Sequence, residues 1–239
     1  MLLKSHTTIT ERIQTKKSKG LKHLKLFTYS NPQIMSSVFN IGLSATYKTL
    51  NQFESQGLVH SYYFHELNLK LWGITEAGIF ESWQDDEEIV PVRTFQPSRM
   101  SSTHIQHELG IQTAYLNSIQ QHGWSNFIVG HDLKGRFDKR PDAIATSPNG
   151  DRVPWEVEFT IKSRKRIQVL ISNYLQAIKR GEYSWVAYIS PDQKFASRLK
   201  RVFLSIKNIP VNGQQVAITE KHLSKFSFYA IQDFPNKSI

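Results

Sequence analysis

The 239-residue chain is 39% hydrophobic and 12% aromatic, enough to bury a core as one large domain or as a small domain joined to a larger one. It contains no cysteine, which excludes a disulfide framework and thiolate zinc sites and leaves His, Asp and Glu as ligands for a hard metal. A formal net charge of +10 points to polyanionic partners, nucleic acid first, while the absence of a long apolar run or a signal-like N-terminus leads us to expect a soluble, cytoplasmic protein without membrane insertion.

Residues 1–20 hold Lys4, Arg12, Lys16, Lys17 and Lys19 among Ser and Thr with little apolar periodicity, and read as a flexible basic arm. From Leu21, the positions Leu24, Phe27, Ile34, Val38 and Phe39 suggest two short helices, interrupted where Pro32 favours a helix start. Gly42 then falls in a turn, and Ser44 is the expected N-cap of a helix over 45–56. In that helix Leu43, Tyr47, Leu50 and Phe53 recur at three- and four-residue spacing and are expected to face the core. Ser44, Thr46, Lys48, Asn51 and Gln52 are polar and suit a DNA groove. Gly57 ends the helix, and residues 58–74 read as two strands with a turn near 66–68, followed by a helix opening at Thr75. Helix-turn-helix plus hairpin makes a winged helix-turn-helix over 21–84. The runs Glu54 to Val59 and Gly73 to Thr75 resemble winged-helix bacterial regulators, which implies DNA binding; a winged helix used for protein contacts or dimerisation is the alternative.

Asp85 to Glu88 are all acidic, and the two prolines that follow mark 85–101 as a linker between two basic regions. A second domain, 102–239, reads as helix 103–121, strands 126–132, 142–146 and 153–160, helix 163–179, strand 184–190, helix 194–206, then one or two short strands after Val211. The order is αβββαβα.

The pair Asn149-Gly150 is a turn signal that makes a hairpin of the second and third strands. It brings Asp142 towards Glu156 and Glu158, which period-two alternation puts on the face opposite Val153, Trp155, Val157 and Phe159. Adjacent carboxylates repel unless a cation neutralises them, so a divalent ion, Mg²⁺ or Mn²⁺, and phosphodiester chemistry are expected. The plainer alternative is an acidic strand paired with nearby Lys or Arg. Arg164, Lys165 and Arg166 crowd the first turn of the next helix, poor for its dipole but good for phosphate. The run Lys194 to Arg201 reads as a solvated helix face, and Tyr174 as packing.

Arg140-Pro141-Asp142-Ala143, a 14-residue step from Asp142 to Glu156, and the αβββαβ order together resemble the PD-(D/E)xK restriction-endonuclease-like superfamily. The resemblance implies a fold of the α+β or α/β class, with a restriction-endonuclease-like αβββαβ core behind the winged helix, and catalytic roles for Asp142 and Glu156. Glu158 stands where that family has lysine; Lys162 could supply the ammonium or contact a phosphate. Glu108, on the first helix of the core, is the implied third metal ligand, with His104 and His107 as ligands or proton shuttles, or simply surface histidines. The winged helix combined with Arg140 to Ala143, Trp155 to Glu158 and the basic helix leading to Asn173 to Ile178 also resembles the replication-relaxation family and MobC-type mobilisation proteins. That implies a relaxase-like endonuclease that nicks double-stranded plasmid DNA at a transfer origin, with mobilisation or coupling proteins as partners. A non-catalytic accessory or replication-control protein, or a transposon or restriction-type endonuclease, are the alternatives.

Overall fold

The computed structural model describes residues 2–83, 87, 91–133 and 139–239, with side chains from residue 10 onward. It divides into two compact units, Met1–Leu109 and Gly110–Ile239.

The first unit opens on α1 (Leu2–Phe27). The flexible arm expected over 1–20 is therefore helical. No Gly or Pro interrupts 2–19, and a helix already anchored at one end extends without paying nucleation again. The anchor is its C-terminal part, where Leu21, Leu24 and Phe27 are buried, and Lys17 adds an ion pair to Glu81 at 2.6 Å. After β1 (Tyr29–Ser30) comes α2 (Pro32–Phe39), whose N-cap Asn31 accepts a hydrogen bond from Ile34 N at 2.8 Å. Then follows α3 (Leu43–Ser55). Its N-cap is Gly42 and not Ser44, so the helix starts earlier than its sequence suggests.

The wing is β2 (Val59–Phe64) and β3 (Leu69–Ile74), antiparallel from Val59↔Ile74 to Phe64↔Leu69, joined through residues 65–68 as expected. β1 pairs with the other edge of β3. Thr75 caps α4 (Glu76–Ser82) by accepting from Gly78 N at 3.1 Å. A Cβ at Gly78 would run into the Leu58 carbonyl oxygen. Gly78→Ala is expected to destabilise the protein by about 1–3 kcal/mol, seen as a lower thermal midpoint; an unchanged midpoint would contradict this packing.

The stretch expected as a linker behaves differently where it is described. Phe95 is buried, its N–H donates to Ile74 O at 3.1 Å, and its ring packs 5.6 Å from Tyr29 and 4.9 Å from His60. One aromatic anchor thus docks a proline-marked segment onto the wing strand. Asp85, Asp86 and Glu88 lie outside the described residues, while Glu87 accepts from Lys25 Nζ at 2.5 Å. α5 (Ser102–Tyr115) ends the first unit and begins the second, so the division falls inside a helix.

In the second unit α5 runs into a π-helical turn, Leu116–Gln120, and then β4 (Ser125–Val129), β5 (Ala143–Thr146), β6 (Arg152–Val157), α6 (Arg164–Lys179), β7 (Val186–Ser190) and α7 (Gln193–Leu204). The αβββαβα order is present as expected. A short ribbon, β8 (Asn208–Val211) with β9 (Gln214–Ala217), precedes α8 (Glu220–Leu223) and β10 (Phe226–Ala230). The main sheet runs β10-β7-β6-β5-β4, antiparallel from β4 to β6 and parallel from β6 to β10. One face buries Ile144, Tyr188 and Phe228 under Ile171 and Tyr174 of α6 and Leu199 and Phe203 of α7. Trp155 gathers Trp124, Phe127 and Phe234 around it. Mixed α and β structure is thus the class of the chain. Among the described residues no helix is long and apolar enough to cross a membrane.

Candidate functional site

The first unit presents α3. Ser44, Lys48, Asn51 and Gln52 are exposed at spacings that put them on one helix face. Thr46, expected with them, is fully buried and donates to Gly42 O at 3.1 Å, so it serves the helix start and cannot reach a groove. Conversely, Leu43 and Tyr47, expected in the core, are 42% and 37% exposed; the core is met by Leu50 and Phe53. Thr46, Leu50 and Phe53, four and three residues apart, form the buried stripe, which leaves Leu43 and Tyr47 exposed. Glu54 ties α3 to the wing by accepting from Ser61 N at 2.7 Å and from Ser61 Oγ at 2.6 Å. Burial alone would raise its pKa, but the Ser61 hydrogen bonds, with Lys70 and Trp72 nearby, hold it below the ordinary carboxylate value. At the wing Tyr62 and Tyr63 are 49% and 41% exposed, a surface that alternation alone did not single out.

The second unit gathers the carboxylates. The β5–β6 hairpin turns at Gly150, whose φ of 84° suits glycine, and pairs Ala143 with Trp155. Asp142, just before β5, donates its N–H to Trp155 O at 3.0 Å, and its Oδ2 accepts from Val157 N at 2.8 Å. That exchange locks Asp142 beside the end of β6. Glu156 is buried; its Oε1 accepts from Lys139 Nζ at 2.7 Å and from the Tyr174 hydroxyl. Glu158, also buried, follows the strand, donates its N–H to Ile189 O at 2.8 Å and pairs with Lys162. All four residues expected here therefore belong to one region, and the structure adds Lys139 and Tyr174. No motif marks Lys139, and the sequence gives Tyr174 only as packing, because spacing in sequence says nothing of which helix residue lies over a strand.

These charges act on one another. Burial, then the neighbouring Asp142 charge, push the Glu156 carboxyl up, while Lys139 and the Tyr174 hydrogen bond oppose the rise. Burial depresses the Lys162 ammonium, with the charges of Glu156 and Asp142 acting against it. Lys162 thus answers to Asp142 and Glu156 as well as to its partner Glu158. Tyr174 is pushed up by burial and by Glu156, and its hydroxyl is committed to that carboxylate, which excludes it as a ready nucleophile.

Among the described residues no group of three or more His, Asp and Glu side chains converges as a metal site. The donor set still suits a hard ion in kind, since Mg²⁺ is commonly held by one or two carboxylates together with water and substrate phosphate. Asp142 and Glu156 supply such a pair. Glu108, His104 and His107 lie on the part of α5 counted in the first unit; His104 is exposed, and His107 Nδ1 is 3.9 Å from Glu108 Oε1. Within that unit the charge of Glu108, after burial, raises the Tyr29 hydroxyl. Arg164, Lys165 and Arg166 are exposed at the start of α6, where Ser163 caps the helix by accepting from Arg166 N. Arg164 also donates to Ser205 O at 2.9 Å, at the C-terminus of α7, where a cation is favourable.

No protein-family model matches the chain, and no curated protein does. Among solved structures, it is similar to an apo-form mutant of ZitR from Lactococcus lactis at 20% identity and a TM-score of 0.26. The match covers 34% of this chain and 61% of that one, so the chain spans less than two thirds of ZitR's length. A likeness of this size assigns the chain to no family.

Proposed function

We propose that the chain is a DNA-acting endonuclease, in which the α3 surface of the first unit holds duplex DNA and the carboxylate cluster of the second hydrolyses a phosphodiester with Mg²⁺ or Mn²⁺. The observation that carries this reading is the gathering of Asp142, Glu156, Glu158 and Lys162 around the end of β6, with Glu156 and Glu158 both buried. Burying carboxylates costs several kcal/mol per group unless they are compensated, and sites with perturbed titration are where chemistry is concentrated. Asp142 and Glu156 would hold the ion, which when bound supplies positive charge at the scissile phosphate and acidifies water. The chain's own groups do the rest. The Val157 N–H fixes Asp142, Tyr174 fixes Glu156, and Lys162 brings an ammonium whose charge is felt at both carboxylates. Lys139 neutralises Glu156 and would yield to the ion. Lys165 and Arg166, exposed on α6, are suited to flanking phosphates. The resemblance to relaxase-like mobilisation proteins gives the proposal its setting: one strand of a plasmid nicked at its transfer origin.

A second reading rests on the same residues. Lys139 with Glu156 and Lys162 with Glu158 already form ion pairs, as in a folded scaffold that binds DNA without cutting it. Relaxation of supercoiled plasmid in Mg²⁺ or Mn²⁺, comparing wild type with variants of Asp142 and Glu156, separates the two. Equal relaxation by all of them would refute the catalytic reading.

For the first unit, Lys48→Ala with Asn51→Ala is expected to weaken duplex binding about 10-fold or more in a mobility-shift titration and to flatten the salt dependence, while leaving the thermal midpoint in place. Both side chains are exposed, so their loss opens no cavity. Unchanged affinity would take DNA away from this face.

A further inference from the structure

The second unit also carries a groove of about 630 Å³ between the C-terminal half of α6, the β8–β9 ribbon and α8. Its floor is apolar, with Leu175 and Ile178 from α6, Ile209 from β8, Val216 from β9, and Ile218 just beyond. On its rim stand Lys179, Lys221 and Lys225, all exposed. Among the described residues these three ammoniums have no side-chain partner, whereas Arg180 beside them is paired with Glu182 at 2.5 Å. β9 is exposed at all four residues, with Val216 42% exposed, and β8 is its one strand partner among the described residues.

A concave apolar floor of this size is filled by apolar groups, and uncompensated cations around it select a negative partner. Duplex DNA satisfies the rim, but its phosphates offer nothing apolar to fill the floor and its thymine methyls lie recessed in the major groove. A second copy of a chain with net charge +10 brings like charge to the rim. We propose that this groove docks an acidic amphipathic segment of a partner protein, with its apolar side chains on the floor and its carboxylates against Lys179, Lys221 and Lys225. The site is separate from the nuclease chemistry and stands without it.

The full chain is titrated into a fluorescein-labelled synthetic amphipathic helix of about 18 residues, with Leu at i, i+3, i+4 and i+7 and Glu on the other face, read by fluorescence anisotropy. Val216→Asp, and the pair Lys221→Glu with Lys225→Glu, are each expected to weaken binding at least about tenfold. Replacing every Glu of the peptide by Lys abolishes binding, and circular dichroism confirms that both variants remain folded; Val216 is already partly in solvent. The proposal is overturned by failure of the acidic peptide to bind, or by undiminished binding to Val216→Asp. A dimer in sedimentation that Val216→Asp dissolves gives the groove to a second copy. Duplex DNA that displaces the peptide and binds Val216→Asp normally, but not the double Glu variant, gives the rim to nucleic acid.

Discussion

Asp142→Asn is expected, on the proposed endonuclease reading, to reduce plasmid nicking on the order of 10²- to 10³-fold while shifting the thermal midpoint little. The substitution separates two duties of one side chain. Asn keeps an oxygen that can accept from Val157 N, so the backbone tie that holds the start of β5 to the end of β6 survives. What it loses is the negative charge that, with Glu156, would bind the ion. Asp142→Ala removes both, and is expected to cost a further 1–3 kcal/mol or so of stability, because the Val157 N–H is left without its acceptor. The electrostatics give a second readout. The charge of Asp142 is one of the two causes that push the Glu156 carboxyl up, so in the Asn variant Glu156 should titrate lower than in the wild type. Carbon-detected NMR of the Glu156 carboxyl would register that change even in a protein that cuts nothing. A nicking rate equal to wild type, with the Glu156 shift present, would leave the cluster as a structural charge network and take the cutting away from Asp142.

The site was legible in the sequence to the extent that it is local. Asn149-Gly150 makes the hairpin, and one hairpin with a 14-residue step is enough to set Asp142 against Glu156. Lys139 and Tyr174 were not legible as site residues, since their contacts depend on how a loop and a helix lie over the sheet. The first unit follows the same division. Its hairpin and its closing helix are written in turn residues and caps, whereas the inward face of α3 is set by how the helix packs within its unit, and its start lies two residues earlier than Ser44 and Ala45 suggest. Thr46 is buried there, while Leu43 and Tyr47 are exposed. Polar threonine can be turned inward because its hydroxyl is satisfied by the carbonyl of Gly42 within the same helical turn. Phe95 shows the converse: within a stretch whose composition says linker, a single buried ring decides the packing. The late strand β10, five residues with burial at four of them, joins β7 in parallel across a long separation in sequence, which no short-range signal encodes.

Trp155→Ala is expected to have the largest effect on stability, a loss of about 3–5 kcal/mol out of the 5–15 kcal/mol typical of a folded chain. Trp155 is fully buried at the centre of β6, with ring centroids 5.0 Å from Phe234, 5.3 Å from Phe127 and 5.7 Å from Trp124. Its indole nitrogen has no hydrogen-bond partner, so the loss is one of packing and dispersion. Trp155→Phe keeps a ring against those neighbours and should recover a large part of the difference. Denaturant unfolding followed by circular dichroism measures both; a loss below about 1 kcal/mol for the alanine variant would mean that this aromatic cluster collapses around the gap. Trp155 and Glu156 are successive residues of one strand and so face opposite sides of the sheet, one anchoring β6 and the other charging it. At a temperature where the alanine variant remains folded, nicking per folded molecule should therefore stay within several-fold of wild type. Asp142→Asn has the opposite expected signature, an intact fold with the proposed chemistry gone, and the pair of variants distinguishes the strand's structural duty from the chemical one proposed for it.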